Sequence, residues 1–256
     1  MILVIDAGNS ETTVGLWNGK RVVARWRITT DASRTPDEVF LTLHGLIASS
    51  PHARAKLTGS AIGSVVPSAT LPLAEACARI TGAKPVVVDG RSKLPITLKV
   101  DEPLTVGADR IINTLAASRI YKRDCIVVDL GTATTFDCIT ANGTFIGGGI
   151  APGVQIAGES LFRKTSKLAA TELIAPKKVI GTRTDECIRA GVVLGAAESI
   201  DGLVRRIKKE WPTKATPYVI GTGGLAPRFA ELCQEFDEVD PDLTLRGLAM
   251  SFALLK

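Results

Sequence analysis

The chain has 256 residues, 45% apolar and 22% charged, which is enough core for one large domain or two ordinary ones and is not the composition of a disordered chain. Its net charge of +5 comes from dispersed lysines and arginines without interleaved aromatics, which argues against a nucleic-acid platform and suits a small anionic ligand. No apolar run approaches the roughly 18 residues that span a bilayer, a first strand begins at Ile2, and five scattered cysteines lack any Cys-x-x-Cys spacing, so the expectation is a cytoplasmic protein with no membrane partner.

The apolar run Ile2 to Ile5 ends at Asp6, and Ala7-Gly8-Asn9-Ser10 separates it from a second extended run beginning Glu11-Thr12-Thr13. The spacing predicts strand, tight turn, strand, with Gly8 free to take positive φ or to let a ligand approach the backbone. Such a turn can cradle a phosphate, with Asp6 as ligand to a metal-bound phosphate or its water; standing alone, it reads first as a plain hairpin. Val22 to Ile28 continues as a third strand. Thr35-Pro36-Asp37-Glu38 then opens a helix through a capping box, with Val39, Phe40, Leu43, Leu46 and Ile47 on its buried face. Leu57 to Val65 predicts a strand, Ser68 to Ile80 a helix stopped by Gly82, and Pro85 to Val88 a short strand buried on both faces.

An extended segment from Arg91 to Pro103 leads to Val106-Gly107-Ala108-Asp109-Arg110, where a helix starts. Two readings stand for the acid and arginine there. One is a helix cap with a surface ion pair; the other is a general base, Asp109, beside an anion clamp, Arg110.

The opening pattern then recurs. Cys125 to Thr144 is again strand, Asp-x-Gly, hydroxyl residues, strand and Asn-Gly turn, so that Asp6 matches Asp129, Gly8 matches Gly131, Thr12 matches Thr135 and, with one inserted residue, Asn18-Gly19 matches Asn142-Gly143. Ala61 to Pro67 likewise resembles Val219 to Pro227. A duplicated α/β fold follows, with halves at 1–118 and 119–256, whose two turns would hold a polyphosphate from both sides of a central cleft. Gly147-Gly148-Gly149 suggests close approach of a ligand or another backbone. Beyond it come a helix from Val154 to about Lys167, a loop from Ala169 to Val179, and the longest helix, with Thr184 as its N-cap, running to about Lys209. Gly191, Gly195 and Gly202 inside that helix cost roughly 1 kcal/mol each against Ala, which close helix packing within the fold or across a dimer would offset. A strand from Tyr218 to Ile220 breaks into Gly221-Thr222-Gly223-Gly224, where Gly223 and Gly224 leave room for a base or ribose, and helices at about Leu225 to Phe236 and Leu245 to Leu255 close the chain.

These stretches together resemble the type III pantothenate kinases. The carrying residues are Asp6 to Thr13, Gly107-Ala108-Asp109-Arg110, Asp129 to Thr135, Gly148 to Gly153, Ile180 to Thr184 and Thr222-Gly223-Gly224, in the family's order from end to end. The resemblance implies duplicated ribonuclease-H-like (actin-like ATPase) domains and ATP-dependent phosphorylation of pantothenate, the first step towards coenzyme A. It implies that Asp6, Ala7, Gly8, Asn9, Ser10, Glu11, Thr12, Thr13 and Thr132 hold ATP phosphates, with Mg2+ near Asp6. Asp109 would accept the proton, Gly107, Ala108, Asp109, Arg110 and Thr184 would contact pantothenate, and Asp129 would bind a monovalent cation, K+ or NH4+. A homodimer with the substrate pocket beside its interface is implied as well. Val100 stands where the family usually has a substrate-contacting tyrosine. A nucleotide-binding regulator of the same fold is the alternative, and the intact Asp6, Asp109, Arg110 and Asp129 weigh against it.

Overall fold

The computed structural model describes residues 1–256, which divide by their contacts into two units, Met1–Lys122 with Asn142–Phe145 and Asp242–Lys256, and Arg123–Ala141 with Ile146–Pro241. In the first unit a five-stranded sheet is built from β1 (Ile2–Ala7), β2 (Glu11–Trp17), β3 (Val22–Thr29), β4 (Ser60–Ser64) and β5 (Val86–Val88), in the order β3-β2-β1-β4-β5. β1 to β3 form an antiparallel meander, and β4 and β5 add in parallel. The period-2 alternation of β1 sends Leu3, Ile5 and Ala7 to one core and Val4 to another. The first core lies under α1 (Pro36–Ala48) and α2 (Pro67–Thr81). The second lies under α3 (Ala108–Tyr121) and the C-terminal helix α8 (Leu243–Leu255).

α1 starts as its capping box predicts, with Glu38 N–H bonded to Thr35 Oγ1 and Thr35 N–H bonded to the Glu38 carboxylate. α2 ends at Gly82 in the left-handed region, φ 68°. The three valines of β5 depart from expectation: β5 is an edge strand, and Val87 is 39% exposed rather than buried on both faces. Before α3 the extended segment contributes a two-residue strand β6 (Thr97–Leu98), paired with Thr144 and Phe145, and a 3-10 turn at Pro103–Thr105.

The second unit holds β7 (Cys125–Leu130), β8 (Ala133–Ile139), β9 (Thr144–Pro152, from Ile146 on), β10 (Tyr218–Thr222) and β11 (Glu238–Val239), in the order β11-β10-β7-β8-β9. Ile126, Val128, Leu130, Phe136, Cys138 and Val219 face a core closed by α4 (Val154–Lys164), the long helix and α7 (Ala226–Phe229). α7 is four residues long where twelve were expected, and the chain turns instead into β11. The long helix comprises α5 (Thr184–Arg189), a π-helical stretch Ala190–Leu194 and α6 (Gly195–Glu210). Its N-cap is Arg183, not Thr184, because the Glu186 carboxylate accepts the N–H groups of Thr182 and Arg183 and so fixes the start one residue earlier. A Cβ on Gly191, Gly195 or Gly202 would meet nothing within 4 Å, so packing within the subunit does not require these glycines. Gly147 has a reason of its own: it sits in β9 at φ 113°, a conformation that side chains disfavour. Four cysteines are buried as expected, and burial pushes the Cys77, Cys125 and Cys233 thiols up to about 12; Cys187 is exposed.

α3 is buried almost all round, and its seat is set by two glycines. A Cβ on Gly63 would collide with Ile112 Cδ1, and one on Gly247 would lie 2.6 Å from both Ile112 Cγ2 and the Ile112 carbonyl oxygen. Gly247→Ala is therefore expected to cost about 1–3 kcal/mol by overpacking, read as a lower urea midpoint at unchanged m-value.

Candidate active site

In the first unit the Asp-x-Gly turn is a three-residue connection, Gly8 to Ser10, closed by the Gly8 N–H on the Glu11 carbonyl at 3.0 Å. Behind it, Thr30 Oγ1 donates to the Gly8 carbonyl at 2.7 Å and lies 2.8 Å from Thr12 Oγ1. Because Thr30 has only one proton, Thr12 is the donor of that second bond. Thr12 is thus 3% exposed and its hydroxyl proton is spent bracing the turn, while Asn9, Ser10 and Glu11 are exposed at the tip. Thr30 was not among the expected residues; its signal in the sequence is only a hydroxyl following a strand. Asp6 pairs in register with Thr13 on β2 and with Gly63 on β4. Its side chain is on the Val4 face, the one covered by α3 and α8.

Gly107-Ala108-Asp109-Arg110 lies at the same end of that face. The Val65 N–H, just past β4, bonds the Ala7 carbonyl at 3.0 Å, and a Cβ on Gly107 would come 3.4 Å from Val65 Cγ1. The Gly107 site explains the motif's spacing. Asp109 Oδ1 folds back over the Gly107 backbone so closely that a Cβ there would collide with it, and it accepts the Arg110 N–H at 2.8 Å. Asp109 is half-buried, and burial raises its pKa above the usual carboxylate value against the opposing pull of Arg110. Ala108 is buried, and the Arg110 guanidinium stands 4.9 Å over the Phe145 ring. The Lys99 N–H donates to the Phe145 carbonyl at 2.8 Å, which ties the chain just before Val100 to the backbone of the residue under Arg110.

In the second unit the matching turn is one residue shorter, closed by the Gly131 N–H on the Ala133 carbonyl. Asp129 pairs with Thr135 on β8 and with Thr222 on β10. Thr13, rather than the Thr12 suggested by sequence alignment of the repeats, is therefore the counterpart of Thr135. Gly153 and Gly223 close on this turn. A Cβ on Gly153 would collide with the Thr132 carbonyl oxygen, and one on Gly223, at φ 87°, would collide with Asp129 Oδ1 and lie 2.8 Å from the Leu130 nitrogen and oxygen. Gly224 follows directly on Gly223, before the Leu225 N–H returns to the Leu130 carbonyl at 3.2 Å. Gly153 was visible only as the end of a glycine-rich stretch.

Thr184 is exposed at the start of α5, on the wall of a cavity of about 670 Å³ that Ala151, Pro152, Leu161, Cys187 and Gly191 also line. The structure thus brings Asp6, Gly107, Asp109 and Arg110 to one end of a sheet in one unit, with Val100 elsewhere in the same unit, and Asp129, Thr132, Gly223 and Gly224 together in the other. No three His, Cys, Asp or Glu side chains come together to cage a metal. Single carboxylates beside turns fit a magnesium ion that keeps its waters and arrives on substrate phosphates, which Asp6 could hold.

A duplicated pair of sheets, each with a carboxylate and a glycine turn at the end of its first strand, defines a protein of the actin-like ATPase fold. Solved structures agree on that fold: component A of (R)-2-hydroxyglutaryl-CoA dehydratase from Acidaminococcus fermentans (TM-score 0.56, 15% identity, 96% of this chain and 94% of that one) and the ROK hexokinase of Thermus thermophilus (TM-score 0.53, 12% identity, 100% and 99%). The chain belongs to the type III pantothenate kinase family, whose activity is the ATP-dependent phosphorylation of pantothenate in coenzyme A biosynthesis: the family model matches residues 2–206. It is 44% identical over 252 residues to the type III pantothenate kinase of Thermomicrobium roseum, covering 98% of this chain and 96% of that one. With that of Desulfatibacillum aliphaticivorans it shares 42% over 253 residues, 98% of each. No helix is long and apolar enough to cross a membrane.

The raised pKa of Asp109 has a sign for stability. A carboxyl whose folded pKa lies above its unfolded one stabilises the fold below the unfolded value, near 3.8, and that contribution is lost as pH rises through the folded value. Asp109→Asn removes the burial of an ionised group. The variant is expected to be more stable than wild type at pH 7, with the difference shrinking towards pH 4 in denaturant titrations.

Proposed function

We propose that Asp109 is the general base of the pantothenate kinase reaction, taking the proton of the primary hydroxyl of pantothenate as it attacks the γ-phosphorus of ATP. The observation that carries this reading is the position of its carboxylate. It is pinned over Gly107, desolvated, and on the same face and end of the sheet as Asp6. Phosphoryl transfer asks the protein mainly for positioning and charge stabilisation, so one oriented carboxylate with backbone cradles and cations is a sufficient set. Gly107, Ala108 and Arg110 bind pantothenate, the guanidinium of Arg110 pairing with its carboxylate, and Thr184 adds a hydroxyl. Val100 offers an aliphatic surface where a phenol is usual, so substrate is held there by contact rather than by a hydrogen bond.

The turn Asp6 to Thr13 holds ATP phosphates, Asp6 through Mg2+ and its waters. Thr12 acts from behind, through Thr30. Thr132, Gly223 and Gly224 hold the nucleotide from the second unit's turn, and Asp129 binds a monovalent cation, K+ or NH4+. Bound magnesium supplies charge neutralisation on the transferred phosphoryl group. Asp109→Asn is expected to lower kcat by 10²-fold or more with the KM for ATP unchanged, in an assay of ADP release with pantothenate. In wild type, kcat should fall as the base is protonated, on an acid limb above the ordinary carboxylate value of 3.8, since burial raises this group. A rate that survives the substitution removes Asp109 from the role. Nucleotide binding without turnover in wild type would favour a regulator.

The active form is a homodimer built on the long helix, and the protein works in the cytoplasm. Gly191 and Gly195 are exposed one turn apart, their missing side chains answer to nothing within the subunit, and Ile150, Val179 and Ile180 are exposed in the same unit at 69%, 71% and 85%. Gly195→Leu should leave the monomer at least as stable, because it removes a helix glycine worth up to about 1 kcal/mol. By light scattering on a sizing column it should shift the dimer to monomer; an unchanged dimer would place the interface elsewhere.

A further inference from the structure

On the second unit's sheet, Thr135, Asp129 and Thr222 stand in register on three neighbouring strands and so occupy one level of one face. Thr222 is 1% exposed, and its Oγ1 has no hydrogen-bond partner. A buried hydroxyl left unsatisfied is destabilising, and valine would fill the same volume without that cost. The first unit takes the apolar solution at its equivalent place. There the residue in register with Asp6 is Gly63, and Ile112 Cδ1 fills the space a side chain would need. The second unit keeps a hydroxyl beside its carboxylate instead. Asp129 Oδ1 is held close over the backbone of Gly223, the residue after Thr222.

A carboxylate flanked by hydroxyls offers the hard oxygen donors that a hard cation takes, and no three His, Cys, Asp or Glu side chains gather there into a cage. We propose that Thr222 Oγ1 is a ligand, together with the Asp129 carboxylate, of the monovalent cation. The inference rests on the reading of Asp129 as the cation's acidic ligand and adds the residue that desolvated geometry reserves for it. It also explains why a threonine, isosteric with valine, occupies the last position of an otherwise apolar strand.

The test is thermal unfolding of the substrate-free protein titrated with KCl against tetramethylammonium chloride at constant ionic strength, for wild type, Thr222→Val, Thr222→Ala, Thr222→Ser and Asp129→Asn. Potassium should raise the wild-type Tm. Thr222→Val and Thr222→Ala should move the potassium midpoint upward by about tenfold, equivalent to about 1.4 kcal/mol. Thr222→Ser should retain the wild-type midpoint, and Thr222→Val without potassium should be no less stable than wild type. A wild-type midpoint in both hydroxyl-free variants, with the response lost in Asp129→Asn, overturns the role of Thr222 and leaves that of Asp129 standing. No potassium response in wild type overturns both.

Discussion

The seat of α3 between Gly63 and Gly247 is the contact on which the first unit's site depends. Ile112 fills the space beside both glycines, one on the sheet and one on α8, so the helix axis is pinned one turn below its own N-terminus. From that fixed point the first turn delivers Asp109 to the end of the sheet where β1 finishes in Asp6. The parallel pairing of β1 with β4 then sets the level, since the Val65 N–H on the Ala7 carbonyl brings the Asp6 turn and Gly107 to the same edge. Precise placement of a carboxylate needs a rigid support, and a helix buried almost all round supplies one.

The same placement sets two demands against each other. Burial that raises the pKa of Asp109 makes it a better proton acceptor near neutral pH and costs folding stability there. The Arg110 N–H and its positive charge pull the other way and offset part of that rise. Stability for the unit comes from cores that contain no such compromise, notably Leu3, Ile5, Leu16, Leu43 and Ile62, all fully buried.

Much of this was legible in the chain. Two Asp-x-Gly turns at the ends of apolar strands, a capping box before an amphipathic helix and a glycine after α2 are local signals, and local physics decides them. The family resemblance was legible from motifs spread along the whole length. What could not be read depended on register and tertiary neighbours. Three valines look the same at an edge as in the middle of a sheet, and β5 proved to be an edge. The stretch after β10 has helical spacing, yet it folds into one short turn because the chain must come back to place β11 beside β10. Thr30, which braces the Gly8 turn through Thr12, is eighteen residues from its partner and carries no motif.

Register also governs how alike the two halves are. By sequence the repeats align Thr12 with Thr135 and Gly63 with Gly221; a first turn one residue longer moves the first correspondence to Thr13, while the parallel register of β4 and β10 sets the second at Thr222. Asp6 has Thr13 and a bare glycine for neighbours, whereas Asp129 has a threonine on each side. Beside Asp6 the space is filled by Ile112 Cδ1, which supplies no oxygen; beside Asp129 stand two hydroxyl-bearing residues. The surroundings of the duplicated turns thus differ through the residue on the parallel neighbour, Gly63 in one unit and Thr222 in the other, with the glycine turn kept in both.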